Sequence, residues 1–177
     1  GVTIPKKAIT DPAKYMTFGT PSTCFTSVGP KSASLEPFVT RVPVASEIRS
    51  EFDQTHAKLK SIIGAEPSKM LRLPYLASNS TVEQTLNDVA LISCSVDSGD
   101  WNNGSKDSVI NNIKTAAAQG RLENAIVLCH ETYSFTADAI EELVPWLDAN
   151  GYQIVTVSEL FEARGKELKG GVVYKNA

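Results

Sequence analysis

The chain has 177 residues, with 17 basic and 20 acidic side chains, a formal charge of −3, 42% hydrophobic and 21% charged residues. That length suits one domain with an appended arm, and the balance of residues buries a core and excludes disorder by composition. A slightly acidic chain is not expected to take nucleic acid or an anionic membrane as its partner, and no apolar run reaches the roughly 18–20 residues of a membrane span. Gly1 opens the chain without a charged-then-apolar leader, so any export signal is expected to have been removed or to lie outside these residues. Cys24, Cys94 and Cys129 form no CxxC pair and no disulfide framework. Cys94 and Cys129 fall in apolar runs, where a free thiol acts as a small hydrophobe.

In chain order the pattern changes near residue 45. From Thr17 to Val44 the sequence is rich in Ser, Thr, Pro and Gly, without a sustained period. Residues 1–44 therefore read as an N-terminal arm and 45–177 as a domain of βα repeats. Ser46 is expected to cap a helix with Ile48, Phe52, Thr55, Leu59 and Ile62 on one face, stopped by Gly64. A short strand over Lys69–Leu73 ends at Pro74, and Ser80-Thr81-Val82-Glu83 reads as a capping box opening a helix. A buried strand over Val89–Ser95, a helix from Lys106 to Gln119, and a strand over Ala125–Cys129 follow. A helix from Thr136 to Ala149 carries Pro145 as an expected kink. Tyr152–Val157 reads as the last strand, and Ser158 as the cap of the last helix.

Strands alternating with helices predict an α/β fold with a parallel sheet or part of a barrel. Chemistry in such folds gathers at the C-terminal ends of the strands. Polar clusters stand there: Arg72 after one strand, Asp97 to Trp101 after the next, His130-Glu131 after the third. Trp101, Tyr75 and Tyr133 are expected on the same rim, and Trp146 in helix packing. His56 is expected at the edge of the apolar face of its helix. Asp97, Asp100, His130 and Glu131 are candidates to hold an ion between two strand ends, magnesium or calcium rather than zinc by their carboxylates. The bland alternative is a network of these groups with Arg72. A serine nucleophile served by His130 and Asp100 lacks a GxSxG elbow, and nothing selects Ser22, Ser98 or Ser134.

Three of these strand ends resemble motifs of the NodB-like polysaccharide deacetylases, carbohydrate esterase family four, which includes acetylxylan esterases. Arg72-Leu73-Pro74-Tyr75 is similar to RxPY, Asp97-Ser98-Gly99-Asp100-Trp101 to DxxDW, and Leu128-Cys129-His130 to LxH. The resemblance covers roughly residues 45–165 and implies a distorted (β/α) barrel, shortened in its N-terminal half. It implies hydrolysis of acetyl groups on a xylan-like polysaccharide, an extracellular setting, and a divalent metal such as zinc or cobalt that polarises the carbonyl and its water. By position, His130 would be the general acid, Asp100 its orienting carboxylate and Arg72 the cation steadying the base. The backbone N–H of Tyr75 would hold the oxyanion, and Trp101 and Leu128 would line the acetyl pocket.

Two motifs depart from the family. Where it has TFDDG, this chain has Thr17-Phe18-Gly19-Thr20, without either aspartate. The paired histidines have no counterpart, since His56 and His130 are the only histidines. The usual metal mechanism is therefore not expected to be complete. The alternative reading is an inactive glycan-binding or vestigial relative. A barrel with too few strands exposes edges, so homodimerisation through residues 1–44 is expected to complete the fold.

Overall fold

The computed structural model describes residues 14–19, 44–102 and 104–177. Most of the arm, with Ser22 and Cys24, lies outside the described residues. Among the described residues the strands are β1 (Lys14–Gly19), β2 (Met70–Leu71), β3 (Ala90–Ile92), β4 (Val96–Asp97), β5 (Ile126–Leu128), β6 (Tyr152–Ile154) and β7 (Val173–Tyr174). The helices are α1 (Ala45–Ile63), α2 (Ser80–Thr85), α3 (Lys106–Ala118), α4 (Ser134–Ala149) and α5 (Val157–Ala163). The described residues fall into two units, one of residues 14–19, 94–102, 104–167 and 175–177, the other of residues 44–93 and 168–174.

The first unit is built on a parallel sheet in the order β4-β5-β1-β6. Register matters here: Gly19 lies opposite Leu128, and Leu128 opposite Asp97, so three strand ends are level. Val96, Val127 and Met16 form the floor on which α3 and α4 pack. Val109 and Ile113 of α3 and Leu143 and Leu147 of α4 recur at helical spacing and are fully excluded from water. Pro145 is accommodated within α4, which runs unbroken from Ser134.

The second unit carries the parallel sheet β2-β3-β7 with α1 and α2. Phe52 from α1, Leu71, Leu86, Val89 and Leu91 form its core. β7 was not legible in the sequence, being two residues long after a pair of glycines. Those glycines let it dock, because a Cβ on Gly170 would stand 2.1 Å from the carbonyl oxygen of Asn87. Gly171 adopts φ +72°, a left-handed backbone that favours glycine.

The expected parallel α/β architecture is therefore present, with local corrections. The run expected as one strand over Val89–Ser95 is two: β3 pairs with β2 and β7, whereas β4 pairs with β5 and ends at Asp97. Asn79, rather than the Ser80 hydroxyl, caps α2, its side chain accepting from the N–H of Val82 at 3.0 Å. Val44 precedes α1 where Ser46 was the expected cap, and the Glu47 carboxylate accepts from the N–H of Val44 at 3.1 Å. Thr156 caps α5 in place of Ser158, its hydroxyl accepting from the N–H of Glu159. The strand expected over Tyr152–Val157, β6, accordingly stops at Ile154.

Candidate functional site

The level strand ends of the first unit carry a polar cluster centred on Asp100. Its side chain is buried (1% exposed), yet both oxygens are engaged. The N–H at Nδ1 of His130 donates to Oδ1 at 2.7 Å. Oδ2 accepts from the backbone N–H of His130 at 2.6 Å and from the Thr136 hydroxyl at 3.1 Å. A carboxylate taken out of water is tolerated when its lone pairs are matched in this way. Asp100 thus grips His130 by ring and backbone together, fixing the tautomer with Nδ1 protonated. Nε2, on the far side of the ring, carries the free lone pair of a half-buried imidazole.

The loop from Asp97 to Asp100 sets this geometry. The Ser98 N–H donates to the carbonyl of Leu128 at 3.1 Å, holding the loop to the end of β5. The Asn112 amide of α3 donates to the Ser98 carbonyl at 2.8 Å. Gly99 turns the chain at φ +73°. Asp97 is satisfied within the loop: Oδ1 accepts from the Gly99 N–H at 2.8 Å and Oδ2 from the Trp101 indole N–H at 3.0 Å. Trp101 is thereby pinned by its nitrogen while 55% of its surface stays exposed. Beyond His130, the Tyr133 ring meets the imidazole edge-on at 6.0 Å and stacks on Phe135 at 5.3 Å.

Leu128 is buried at the end of β5, and Glu131 is exposed in the turn beyond His130. Cys94 and Cys129 are half-buried. Thr136 and Asn112 were missed as site residues. A hydroxyl on the buried face of α4 was the one available signal for Thr136; the amide of Asn112 gave none.

Arg72 and Tyr75 belong to the second unit. Arg72 is half-buried just past β2. Tyr75 is 95% exposed, and both it and Leu76 have positive φ, of 54° and 56°. Two consecutive non-glycine residues in that region store strain of about 1–2 kcal/mol each. His56 sits on α1 against Phe52, 5.6 Å between ring centroids, with its Nε2 on Glu66 at 2.8 Å. Lys60 pairs with the same carboxylate, and together they hold Glu66 down to about 2.

A divalent metal of the kind the resemblance implies does not fit these residues. Among the described residues no three His, Cys, Asp or Glu side chains group to hold an ion. β1 ends at Gly19, level with Leu128 and Asp97, and brings no carboxylate to that edge. Asp97 and Asp100 spend their oxygens on N–H and O–H donors, and His130 spends Nδ1 on Asp100.

No family model matches the chain. It is similar to the peptidoglycan-N-acetylmuramic acid deacetylase PdaC of Bacillus subtilis, 32% identical over 129 residues, which cover 72% of this chain and 26% of that protein. It is also similar to the bifunctional xylanase/deacetylase of Pseudobutyrivibrio xylanivorans, 34% identical over 134 residues, 74% of this chain and 21% of that one. The chain therefore spans about a quarter of the length of these curated relatives. Among solved structures, the Xyl-CE4 domain of a multidomain xylanase from the hindgut metagenome of Trinervitermes trinervoides superposes with a TM-score of 0.66. The two are 29% identical over 76% of this chain and 64% of that one.

Proposed function

The chain belongs to the NodB-like polysaccharide deacetylases, carbohydrate esterase family four, and we propose that it is a domain that hydrolyses acetyl groups on xylan-like polysaccharide. The observation that carries this reading is the buried Asp100 carboxylate holding Nδ1 of His130 at 2.7 Å. A carboxylate on Nδ1 leaves Nε2 to move a proton and stabilises the imidazolium when it forms. His130 serves as the acid that protonates the leaving group, and Asp100 positions it. By the resemblance of their motifs, Arg72 and the N–H of Tyr75 are assigned the roles of cation and oxyanion donor, and Trp101 and Leu128 those of walls for acetyl and sugar. The partner is an acetylated poly- or oligosaccharide, and secretion goes with such a substrate. No described helix is long and apolar enough to cross a membrane.

Acetate release from acetylated xylo-oligosaccharides tests the proposal. Replacing His130 by Ala should lower turnover by about 10²–10⁴-fold, the usual worth of a positioned acid–base group. Equal release by both proteins would remove His130 from the reaction. A second reading, glycan binding without turnover, is favoured by Trp101, whose indole is fixed by Asp97 and whose surface is open. Calorimetric titration with the same oligosaccharides and with Trp101→Ala separates that reading from catalysis. The proposed homodimer through residues 1–44 is tested by light scattering at micromolar concentration, where a monomer would sink it.

A further inference from the structure

Resting on the esterase reading above, we infer that this site takes O-acetyl esters and not N-acetyl amides, and does so without a divalent metal. The proton-transfer half of the site and its ion-holding half do not match. Asp100 and His130 are fully assembled: three donors hold the carboxylate, and the imidazole tautomer is fixed. The level edge of the same sheet ends in Gly19, Leu128 and Asp97. The Asp97 carboxylate there is occupied by the Gly99 N–H and the Trp101 indole. The second histidine of the chain, His56, belongs to the other unit and faces Glu66. The described residues therefore offer a proton carrier and no Lewis acid.

A proton carrier suffices for one acyl class and not for the other. With an ester, Nε2 of His130 takes a proton from water as the water oxygen bonds to the acetyl carbon and the carbonyl π pair moves onto oxygen. The pair then re-forms the carbonyl, and the bond from the acetyl carbon to the sugar oxygen breaks. That oxygen departs with the bonding pair and takes the proton back from Nε2. Acetic acid is released and loses its proton to solvent, and His130 ends neutral as it began. No electron is gained or lost.

An N-acetyl group changes both halves of this sequence. Amide resonance makes the carbon a weaker electrophile, and an amide nitrogen leaves only once it has been protonated. The first deficit calls for the carbonyl polarisation that a bound cation supplies, and the second requires His130 to give its proton to nitrogen before the bond breaks. The dyad's own contribution, about 10²–10⁴-fold, leaves an ester within reach and an amide out of it.

The test compares O-acetylated xylotriose with N-acetylated chitotetraose, using protein treated with a chelator and the same protein with zinc or cobalt restored. Titration calorimetry with zinc and with cobalt gives a second readout that does not depend on turnover. The expected result is acetate from the ester only, at a rate that changes less than about twofold on chelation. Neither metal should bind at one-to-one stoichiometry. His130→Gln, chosen beside His130→Ala to preserve polarity and packing, should lower the ester rate by at least about 10²-fold. Acetate from chitotetraose at a comparable rate would overturn the inference. So would one-to-one metal binding with metal-dependent ester turnover, although the esterase reading would then stand. Acetate from neither substrate would overturn that reading and the inference with it.

Discussion

The two units place their charged groups in opposite ways. In the unit built on β4-β5-β1-β6, one carboxylate is buried and matched by three donors within 3.1 Å. In the unit built on β2-β3-β7, Asp88 lies between Arg49 and Lys69 at the surface, at 2.5 and 2.9 Å, and Arg49 also pairs with Asp53 on α1. Both arrangements join elements distant in sequence. The buried one excludes water, so each lost partner leaves a polar group unsatisfied. The surface one exchanges lost partners for solvent, so each loss is small. The difference teaches where function is carried: a rigid proton-transfer pair needs the first kind of setting, and the second kind only steadies a helix against a loop.

The sharpest way to break that contrast is to remove the buried carboxylate. Asp100→Ala leaves the His130 N–H, the His130 ring N–H and the Thr136 hydroxyl without their acceptor. At about 1–3 kcal/mol for each donor left unmatched, with the half-buried ring N–H recovering some water, a loss near 3 kcal/mol is expected. Chemical denaturation measures it, and a loss below about 1 kcal/mol would make the buried cluster no different from the surface one. A comparable loss is expected in the other unit from a steric rather than a polar cause. Gly170→Ala drives a Cβ into the Asn87 carbonyl, 2.1 Å away, so the backbone must move and β7 lose its place beside β3. A destabilisation of about 2–3 kcal/mol, with faster amide exchange at Leu91 and Ser93, whose N–H groups bond Val172 and Tyr174, would show it.

Much of this was legible because each signal was local. The helix expected from Lys106 to Gln119 gave α3, and the apolar run before His130 gave β5. The strand-end placement of Asp100 and His130 followed from βα alternation alone, and their pairing appeared as expected for the bland network as well as for catalysis. What stayed hidden was non-local. β7 depends on two glycines fitting against a loop some 80 residues earlier in the chain, which no window of sequence contains. The division of Ala90–Asp97 between two sheets depends on which neighbours pair with it, not on its own apolar residues. Thr136 looked like a helix start, and only the fold shows its hydroxyl turned onto a carboxylate 36 residues away.

That hydroxyl allows a finer cut through the buried cluster. Thr136→Val keeps the shape, removes one donor from Oδ2 of Asp100 and leaves both His130 bonds in place. A loss of about 1.5–3 kcal/mol, the worth of a hydrogen bond to a charged group, is expected by thermal or chemical unfolding. No change at all would mean that Asp100 is held by His130 alone.

The smallest effect belongs to the surface network, and its sign against pH identifies it. The hydrogen bonds from Lys69 and Arg49 lower Asp88 from an ordinary 3.8 to about 2. A carboxylate depressed on folding adds stability that is fully present above its unfolded value. That stability drains away as pH falls from about 4 through about 2. Exposure and side-chain entropy offset much of that electrostatic gain, so Asp88→Asn should cost no more than about 1 kcal/mol near neutral pH. The cost should shrink toward zero as the pH approaches 2, and added salt should shrink it at neutral pH too. Stability curves of the two proteins against pH, measured by denaturant midpoint, decide it. Curves that stay parallel below pH 4 would mean Asp88 holds the loop by shape rather than charge, and the contrast between the two units would lose its electrostatic basis.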